Sequence, residues 1–195
     1  AILQGSTVFN VLHLFSGPSS RTCGLSATLR QIWFSCIDIG IKNKSTSIHI
    51  DDCDLSSDQL WHRLTLRVTK HEFTFVWMST PSAAFWEGAQ PGNSTLLRGN
   101  YFGVKSARMA QTCLSTGIGF GIENSELHAR APSVFLLKKL VNLQANTSVK
   151  TVNFDQCTLG AYSPKPTRGV CSGIELSHIS RPVSYTNLTL PTIHP

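Results

Sequence analysis

Short, almost continuously apolar runs alternate along this chain with stretches that have the apolar spacing of helices, and this alternation limits the possible folds most strongly. The apolar runs cover residues 8–15, 34–41, 73–78, 120–123 and 149–154. Continuous apolar runs are typical of strands that are covered on both faces, whereas half-exposed strands alternate between apolar and polar residues. The sequence therefore predicts an α/β fold with a mostly parallel sheet and helices on both faces.

Helices are predicted between these runs from apolar residues three and four positions apart. The helical stretches cover residues 24–31, 59–68 and 105–115, and residues 134–143 form a basic amphipathic helix. Gly117 follows the third stretch and is expected to cap it. Two segments are predicted to be loops, an acidic one at 51–58 and a flexible one at 86–100 that is rich in Gly, Asn, Ser and Pro.

Polar turns follow the predicted strands, and in parallel sheets ligands bind where the strands end. Ser16, Gly17 and Pro18 follow the first strand, and Ser79, Thr80 and Pro81 follow the third. A glycine between a strand and a helix lets a ligand approach the backbone closely. Such a turn is also common without any ligand, so both interpretations stay open for the turn taken alone.

Composition limits the class of protein and its partners. Of 195 residues, 41% are hydrophobic and only 14% are charged, which excludes a disordered chain. The net charge of +6 favours an anionic partner, although simple solubility explains it equally well. The six cysteines include no C-x-x-C pair, so we expect reduced thiols, no metal and an intracellular (cytoplasmic or nuclear) location. No apolar run reaches the length of a membrane span, and we expect a monomer.

The composition changes near the carboxyl end. Residues 182–193 carry no charge and no periodicity, and they resemble the peptide encoded by sequencing-adapter DNA. We therefore expect one domain over residues 1–180 and a non-native or disordered tail over residues 181–195. A genuine polar extension is the alternative.

Four blocks of sequence occur in an order that points to one family. They read L-F-S-G, V-W-M-S-T-P-S-x-x-F, G-I-E-N and F-D-Q-C-T-L-G-A-Y-S-P-K-P-T-R. In this order they resemble the DNA cytosine carbon-5 methyltransferases, most closely the compact phage-type and mobile-element-type members. The resemblance covers about residues 8 to 170, and the middle and last blocks are its specific part. It implies a Rossmann-like fold and S-adenosylmethionine as cofactor.

The resemblance implies a pocket for a flipped cytosine. In the family a cysteine thiolate adds to carbon 6, a glutamate contacts ring nitrogen 3, and carbon 5 then attacks the methyl sulfonium. Pro81 matches the proline before that cysteine, but Ser82 stands at the cysteine position. Glu123 and Asn124 match the glutamate block. Because serine is far less ionised than cysteine, we expect methyl transfer to be absent or severely impaired.

The cofactor side of the site is also altered relative to the family. Pro18, Ser19 and Ser20 replace its glycine-rich turn, and Gly40 stands where an acidic residue for the ribose is expected, with Asp38 as the near substitute. The cofactor residues implied by the resemblance are Phe15, Ser16, Gly17, Asp38, Asp54 and Ser79.

The last block contributes basic residues that could contact DNA. Lys165 and Arg168 belong to its K-P-T-R motif and are expected to reach phosphates, while a solvated basic loop is the alternative. Further lysines occur at Lys138, Lys139 and Lys150. We expect weak, sequence-tolerant DNA binding, because only the short 86–100 segment is available for recognition. A non-catalytic nucleic-acid-binding module and a translated mobile-element relic remain open alternatives.

Overall fold

The computed structural model describes residues 9–15, 25–31, 34–39, 54–81, 94–126, 133–156 and 165–180. Within these ranges strands and helices alternate along most of the chain. The elements are β1 (Asn10–Leu14), α1 (Leu25–Gln31), β2 (Ser35–Ile39), α2 (Asp58–Thr69), β3 (Phe75–Ser79), α3 (Ser94–Thr116), β4 (Gly119–Ser125), α4 (Lys138–Gln144), β5 (Lys150–Asp155) and β6 (Pro166–Ser172). Short 3-10 turns occur at Val134–Leu136 and Ser177–Ile179.

The six strands form one sheet in the order β2-β1-β3-β4-β6-β5. Strands β1 to β4 are parallel, and β6 runs antiparallel to both of its neighbours, β4 and β5. The carboxyl ends of β1 to β5 and the amino end of β6 therefore meet at one edge of the sheet, here called the carboxyl edge. The strand order reverses between β1 and β3, which makes that point of the edge the expected position for a ligand.

Alternate residues of the central strands form the core beneath three helices. Leu12, Val76, Met78, Phe120 and Ile122 are all fully buried and belong to one hydrophobic cluster. The same cluster includes residues of α2, α3 and α4. Helix α1 lies against the opposite face, which carries the intervening residues of β1 and β2. In the described residues, three helices thus cover one face of the sheet, and α1 covers the β1–β2 part of the other.

Helix α2 forms because its sequence supplies both a cap and one apolar stripe. The Ser57 side chain accepts a hydrogen bond from the backbone N–H of Leu60, which satisfies a donor of the first turn. Leu60, Leu64 and Val68 recur at helical spacing and are buried, as is Trp61. The predicted helix at 59–68 is therefore confirmed with one residue added at each end.

Gly117 ends helix α3 as predicted. Its φ of 73° lies in the left-handed region, which glycine adopts without steric cost. The N–H of Gly117 donates to the carbonyl of Leu114, and the N–H of Ile118 donates to that of Cys113. These two bonds form a Schellman motif, which turns the chain directly into β4.

Two predictions about local structure are wrong. Residues 94–100 are not loop, because α3 begins at Ser94; further along the same helix, a Cβ on Gly103 would collide with Leu137 and Val134. The single helix predicted at 134–143 is broken, since Leu137 is extended (φ −61°, ψ 129°) between a 3-10 turn and α4. The alternative of a solvated loop does not hold for most of the K-P-T-R block, because Pro166–Ser172 pairs between two strands. The remainder of the predicted 86–100 loop lies outside the described residues.

A leucine pair in α2 tests the core. Leu64 is 2% exposed and Leu66 is 45% exposed. Replacing Leu64 with Ala removes core packing and leaves a cavity, so urea unfolding should show a loss of about 2–5 kcal/mol. Leu66→Ala is the matched control and should change stability by no more than about 0.5 kcal/mol. Equal losses from the two variants would contradict this orientation of α2.

Candidate functional site

The backbone is strained where β1 ends. Phe15 has a φ of 63°, a left-handed conformation that is unusual for a bulky residue. Such a conformation costs about 1–3 kcal/mol and tends to occur where ligands bind. The Phe15 N–H donates to the carbonyl of Ile39 at 2.7 Å, which joins the ends of β1 and β2. The predicted cofactor residue Phe15 therefore ends β1 at the point where the strand order reverses.

The Phe15 ring holds this turn against the helices. It is 8% exposed, and its centroid lies 6.1 Å from that of Trp61 and 5.2 Å from that of Phe102. The Trp61 indole donates a hydrogen bond of 2.7 Å to the carbonyl of Leu55. Through these contacts the segment containing Asp54 is fixed relative to the end of β1. The aromatic side chain itself is packed into the core.

Asp54 shapes the turn that precedes α2. Its carboxylate accepts hydrogen bonds from the backbone N–H of Ser56 at 3.0 Å and from the Ser56 hydroxyl at 2.6 Å. Its carbonyl accepts from the N–H of Ser57, the cap residue of α2. Asp54, a cofactor residue implied by the resemblance, thus has a structural role within its own turn.

A buried amide ties β4 to the end of β3. Asn124 is 2% exposed, and its Nδ2 donates to the Thr80 carbonyl at 2.6 Å. The Thr80 hydroxyl lies 3.1 Å from that of Ser106 on α3. Since Pro81 follows Thr80 directly, Asn124 fixes the start of the segment that leads to Ser82. The structure therefore brings together Pro81 and Asn124, two of the residues expected at the base pocket.

Glu123 lies beside Ser79 at the carboxyl edge, because these residues are register partners in β3 and β4. Its side chain is 18% exposed. Gln156 donates a hydrogen bond of 3.1 Å to Oε1, and the Lys165 ammonium lies 3.7 Å from the same oxygen. Lys165 therefore neutralises a carboxylate at the predicted base pocket, and it remains 45% exposed. The sequence analysis did not identify Gln156.

Arg168 is held by the protein more tightly than Lys165. Its Nε donates to the Asn153 side chain at 3.1 Å, and its guanidinium lies 4.0 Å from Glu126. It also lies 5.9 Å from the centroid of the Phe135 ring. The side chain is 25% exposed. These contacts make Arg168 less available to a phosphate than Lys165.

Asp38 occupies a polar cluster between β1, β2 and α1. The Arg30 guanidinium donates to Oδ2 at 2.6 Å, and the Ser26 hydroxyl donates a short hydrogen bond to Oδ1. His13 Nδ1 lies 3.3 Å from the same Oδ1. Both carboxylate oxygens are thus engaged by protein groups. Asp38 therefore holds this cluster together, and its carboxylate has little capacity left to accept a hydrogen bond from a ribose hydroxyl.

His13 is a buried residue that the sequence analysis missed. It is 5% exposed, in the middle of β1. Its Nδ1 lies 2.6 Å from the Ser26 hydroxyl, and its Nε2 lies 3.4 Å from the Ser79 hydroxyl. Burial lowers the pKa of His13, and this outweighs the opposing effect of the Asp38 carboxylate. The only signal in the sequence was a titratable residue inside an otherwise apolar strand.

Several predicted site residues lie outside the described part of the chain. They are Ser16, Gly17 and Ser82. Among the residues that the structure does describe, no group of three or more His, Cys, Asp or Glu side chains could hold a metal ion, and no helix is long and apolar enough to cross a membrane. Cys36, Cys113 and Cys171 are free thiols.

Neither a scan against protein-family models nor a search of curated proteins gave a match for this chain.

The lowered pKa of His13 predicts acid sensitivity. Above the ordinary pKa of 6.5 the histidine is neutral in both states, so its burial carries no cost of deprotonation. As the pH falls through 6.5 towards the lowered value, the unfolded chain binds a proton first and stability is lost. Urea unfolding at about pH 7.5 and about pH 5.5 should therefore show a smaller loss for His13→Gln than for the unaltered chain. His62→Gln, on an exposed part of α2, should leave the loss unchanged; an equal effect from both variants would contradict the assignment.

Proposed function

We propose that this chain is a Rossmann-like methyltransferase domain of the DNA cytosine carbon-5 type, which binds S-adenosylmethionine at the carboxyl edge between β1 and β3 and is severely impaired in methyl transfer. The observation that carries the proposal is the meeting of Phe15, Ser79–Pro81 and Glu123–Asn124 at that edge. These residues belong to three blocks of the family resemblance, and they are far apart in the sequence. Their convergence is what a shared site requires.

The sheet order supports the fold part of the proposal. Parallel α/β sheets bind ligands where the strand order reverses, and here that point lies between β1 and β3. The sheet is mostly parallel, with β6 running antiparallel between β4 and β5, and this arrangement is compatible with a Rossmann-like fold.

The absence of the family's cysteine nucleophile supports the proposal that methyl transfer is impaired. Ser82 stands at the position of the family's cysteine, and a serine hydroxyl supplies almost no alkoxide at neutral pH. Cys113 is not a substitute, because it is fully buried in α3 and burial raises its pKa to about 12. A thiol in that environment neither ionises nor reaches a base at the carboxyl edge.

The catalytic prediction is that the chain transfers no detectable methyl group to cytosine in DNA. Ser82→Cys should give at most a trace of activity, since Pro18, Ser19, Ser20 and Gly40 still depart from the family's cofactor site. Adding Gly at positions 19 and 20 and an acid at position 40 should raise it further. The assay is transfer of labelled methyl groups, with covalent trapping on DNA that contains 5-fluorocytosine. Robust turnover by the unaltered chain would overturn the assignment of Ser82.

Exposed lysines near the carboxyl edge support binding of an anionic partner. Lys138 and Lys139 are exposed at the start of α4, on the segment that leads away from the end of β4. Lys165 adds a third positive charge beside Glu123. Lys150 differs, because it begins β5 at the opposite edge and pairs with Glu175. The chain therefore offers both test residues and a matched control.

We predict weak, salt-sensitive, sequence-tolerant binding to DNA. Replacing Lys138, Lys139 and Lys165 with Gln should weaken binding at low salt and reduce the slope of log K against log salt by about 1 for each phosphate that is no longer neutralised. Lys150→Gln removes one positive charge at the opposite edge and should have little effect compared with Lys165→Gln, which removes one at the carboxyl edge. Fluorescence anisotropy with labelled duplexes at several salt concentrations is the measurement. Salt-independent affinity, or equal effects from Lys150→Gln and Lys165→Gln, would contradict the prediction.

A non-catalytic nucleic-acid-binding module is the second candidate. It is favoured by the combination of exposed lysines at the carboxyl edge with a serine at the nucleophile position. The two functions differ in their cofactor requirement, since the second needs no S-adenosylmethionine. DNA binding by a chain that does not bind the cofactor would support the module.

A further inference from the structure

We propose that Ser79 is an activated serine nucleophile, with His13 as its general base and Asp38 as the residue that positions the histidine. The three side chains come from adjacent strands. His13 lies on β1, Asp38 is its register partner on β2, and Ser79 ends β3. Ser79 also belongs to the proposed cofactor edge, but the assignment needs no methyl transfer and no cofactor.

The hydrogen bonds run in one direction from Ser79 through His13 and Ser26 to Asp38. Ser26 donates to Asp38 Oδ1, so its oxygen accepts from His13 Nδ1, 2.6 Å away. Asp38 Oδ1 itself lies 3.3 Å from that nitrogen. With its proton on Nδ1, the neutral imidazole presents the lone pair of Nε2 to the Ser79 hydroxyl at 3.4 Å. Catalytic hydrogen bonds are commonly this long before a substrate binds.

Trp77 assists on the other side of the Ser79 oxygen. Its indole Nε1–H donates to Oγ at 3.0 Å, which favours the negative charge that develops when the serine loses its proton. The Trp77 ring is itself held in place, because it lies over Gly121, where an added Cβ would come within 2.5 Å of the ring. Ser79 thus has a proton acceptor and a fixed donor at the same oxygen.

Burial makes His13 suitable as a base and leaves the serine accessible. His13 is 5% exposed and its pKa is lowered, so the imidazole is neutral at pH 7 and able to accept a proton. Asp38 then stabilises the imidazolium that forms, as the acid of a Ser-His-Asp triad does. Ser79 is only half-buried and ends its strand at the reversal of strand order, where ligands of parallel sheets bind.

The chemistry that fits is acyl transfer from a small activated ester. The Ser79 oxygen forms a bond to the carbonyl carbon while its proton passes to His13 Nε2. The bond from that carbon to the leaving alcohol breaks, and the alcohol takes the proton from the imidazolium. Water then attacks the acyl-serine in the same manner and releases the carboxylic acid. No oxidant or further reactant is needed.

A fluorophosphonate probe tests the proposal, with the label located by mass spectrometry of peptides. We expect one label on Ser79, release of p-nitrophenol from p-nitrophenyl acetate, and loss of both with Ser79→Ala. His13→Gln and Asp38→Asn should each slow labelling at least tenfold, and Trp77→Phe should slow it less. Ser115→Ala, on the exposed surface of α3, should label as the unaltered chain does. Thermal melts establish that each variant folds.

The pH profile keeps the proposal testable if a His13 variant fails to fold. The ionisable groups around His13 in the described structure are Asp38 and Cys36 on β2 and Arg30 on α1. Labelling of the unaltered chain should fall on acidification with a single protonation below pH 6.5, as His13 becomes charged. Absence of label on Ser79, a rate that does not change between acid and neutral pH, or full labelling of a folded His13→Gln variant would each overturn the proposal.

Discussion

The structure depends on one constraint, the burial of alternate residues of β1, β3 and β4 beneath α2, α3 and α4. Leu12, Val76 and Phe120 are fully buried neighbours on that face. A shift of one residue in any of these strands would turn its apolar side chains away from the helices. The burial therefore fixes the register of the central strands. The register in turn places Ser79 opposite Glu123. The packing of the core therefore determines which residues lie at the carboxyl edge.

The sequence predicts the parallel part of the sheet well, because strands that are buried in the core have continuous apolar runs. It fails where tertiary packing decides. Gly99 favours the loop predicted at 86–100, yet it is buried in α3. A solvated loop is the alternative for the K-P-T-R block, yet pairing with β4 and β5 makes a strand of the segment that begins at Pro166. Long-range partners of this kind leave no local pattern.

The candidate site was only partly predictable for a related reason. Sequence order and residue type identified Glu123 and Asn124, and the structure gives both a position at the carboxyl edge. Partners such as Gln156 and His13 come from other strands and carry no motif of their own. The structure also changes some expected roles, since Arg168 and Asp38 bind protein groups. At one edge, Ser79 thus belongs both to the residues expected of methyl transfer and to a hydrogen-bonded pair with His13.

Titration calorimetry with S-adenosylhomocysteine tests the central claim most directly, because cofactor binding requires the edge between β1 and β3 but not the missing cysteine. We predict saturable binding in the micromolar range, reduced at least tenfold by Phe15→Ala, which removes the ring that anchors the strained turn. Leu66→Ala, an exposed change on α2, should bind as the unaltered chain does. No detectable heat from a folded chain at millimolar ligand would contradict the assignment to the methyltransferases.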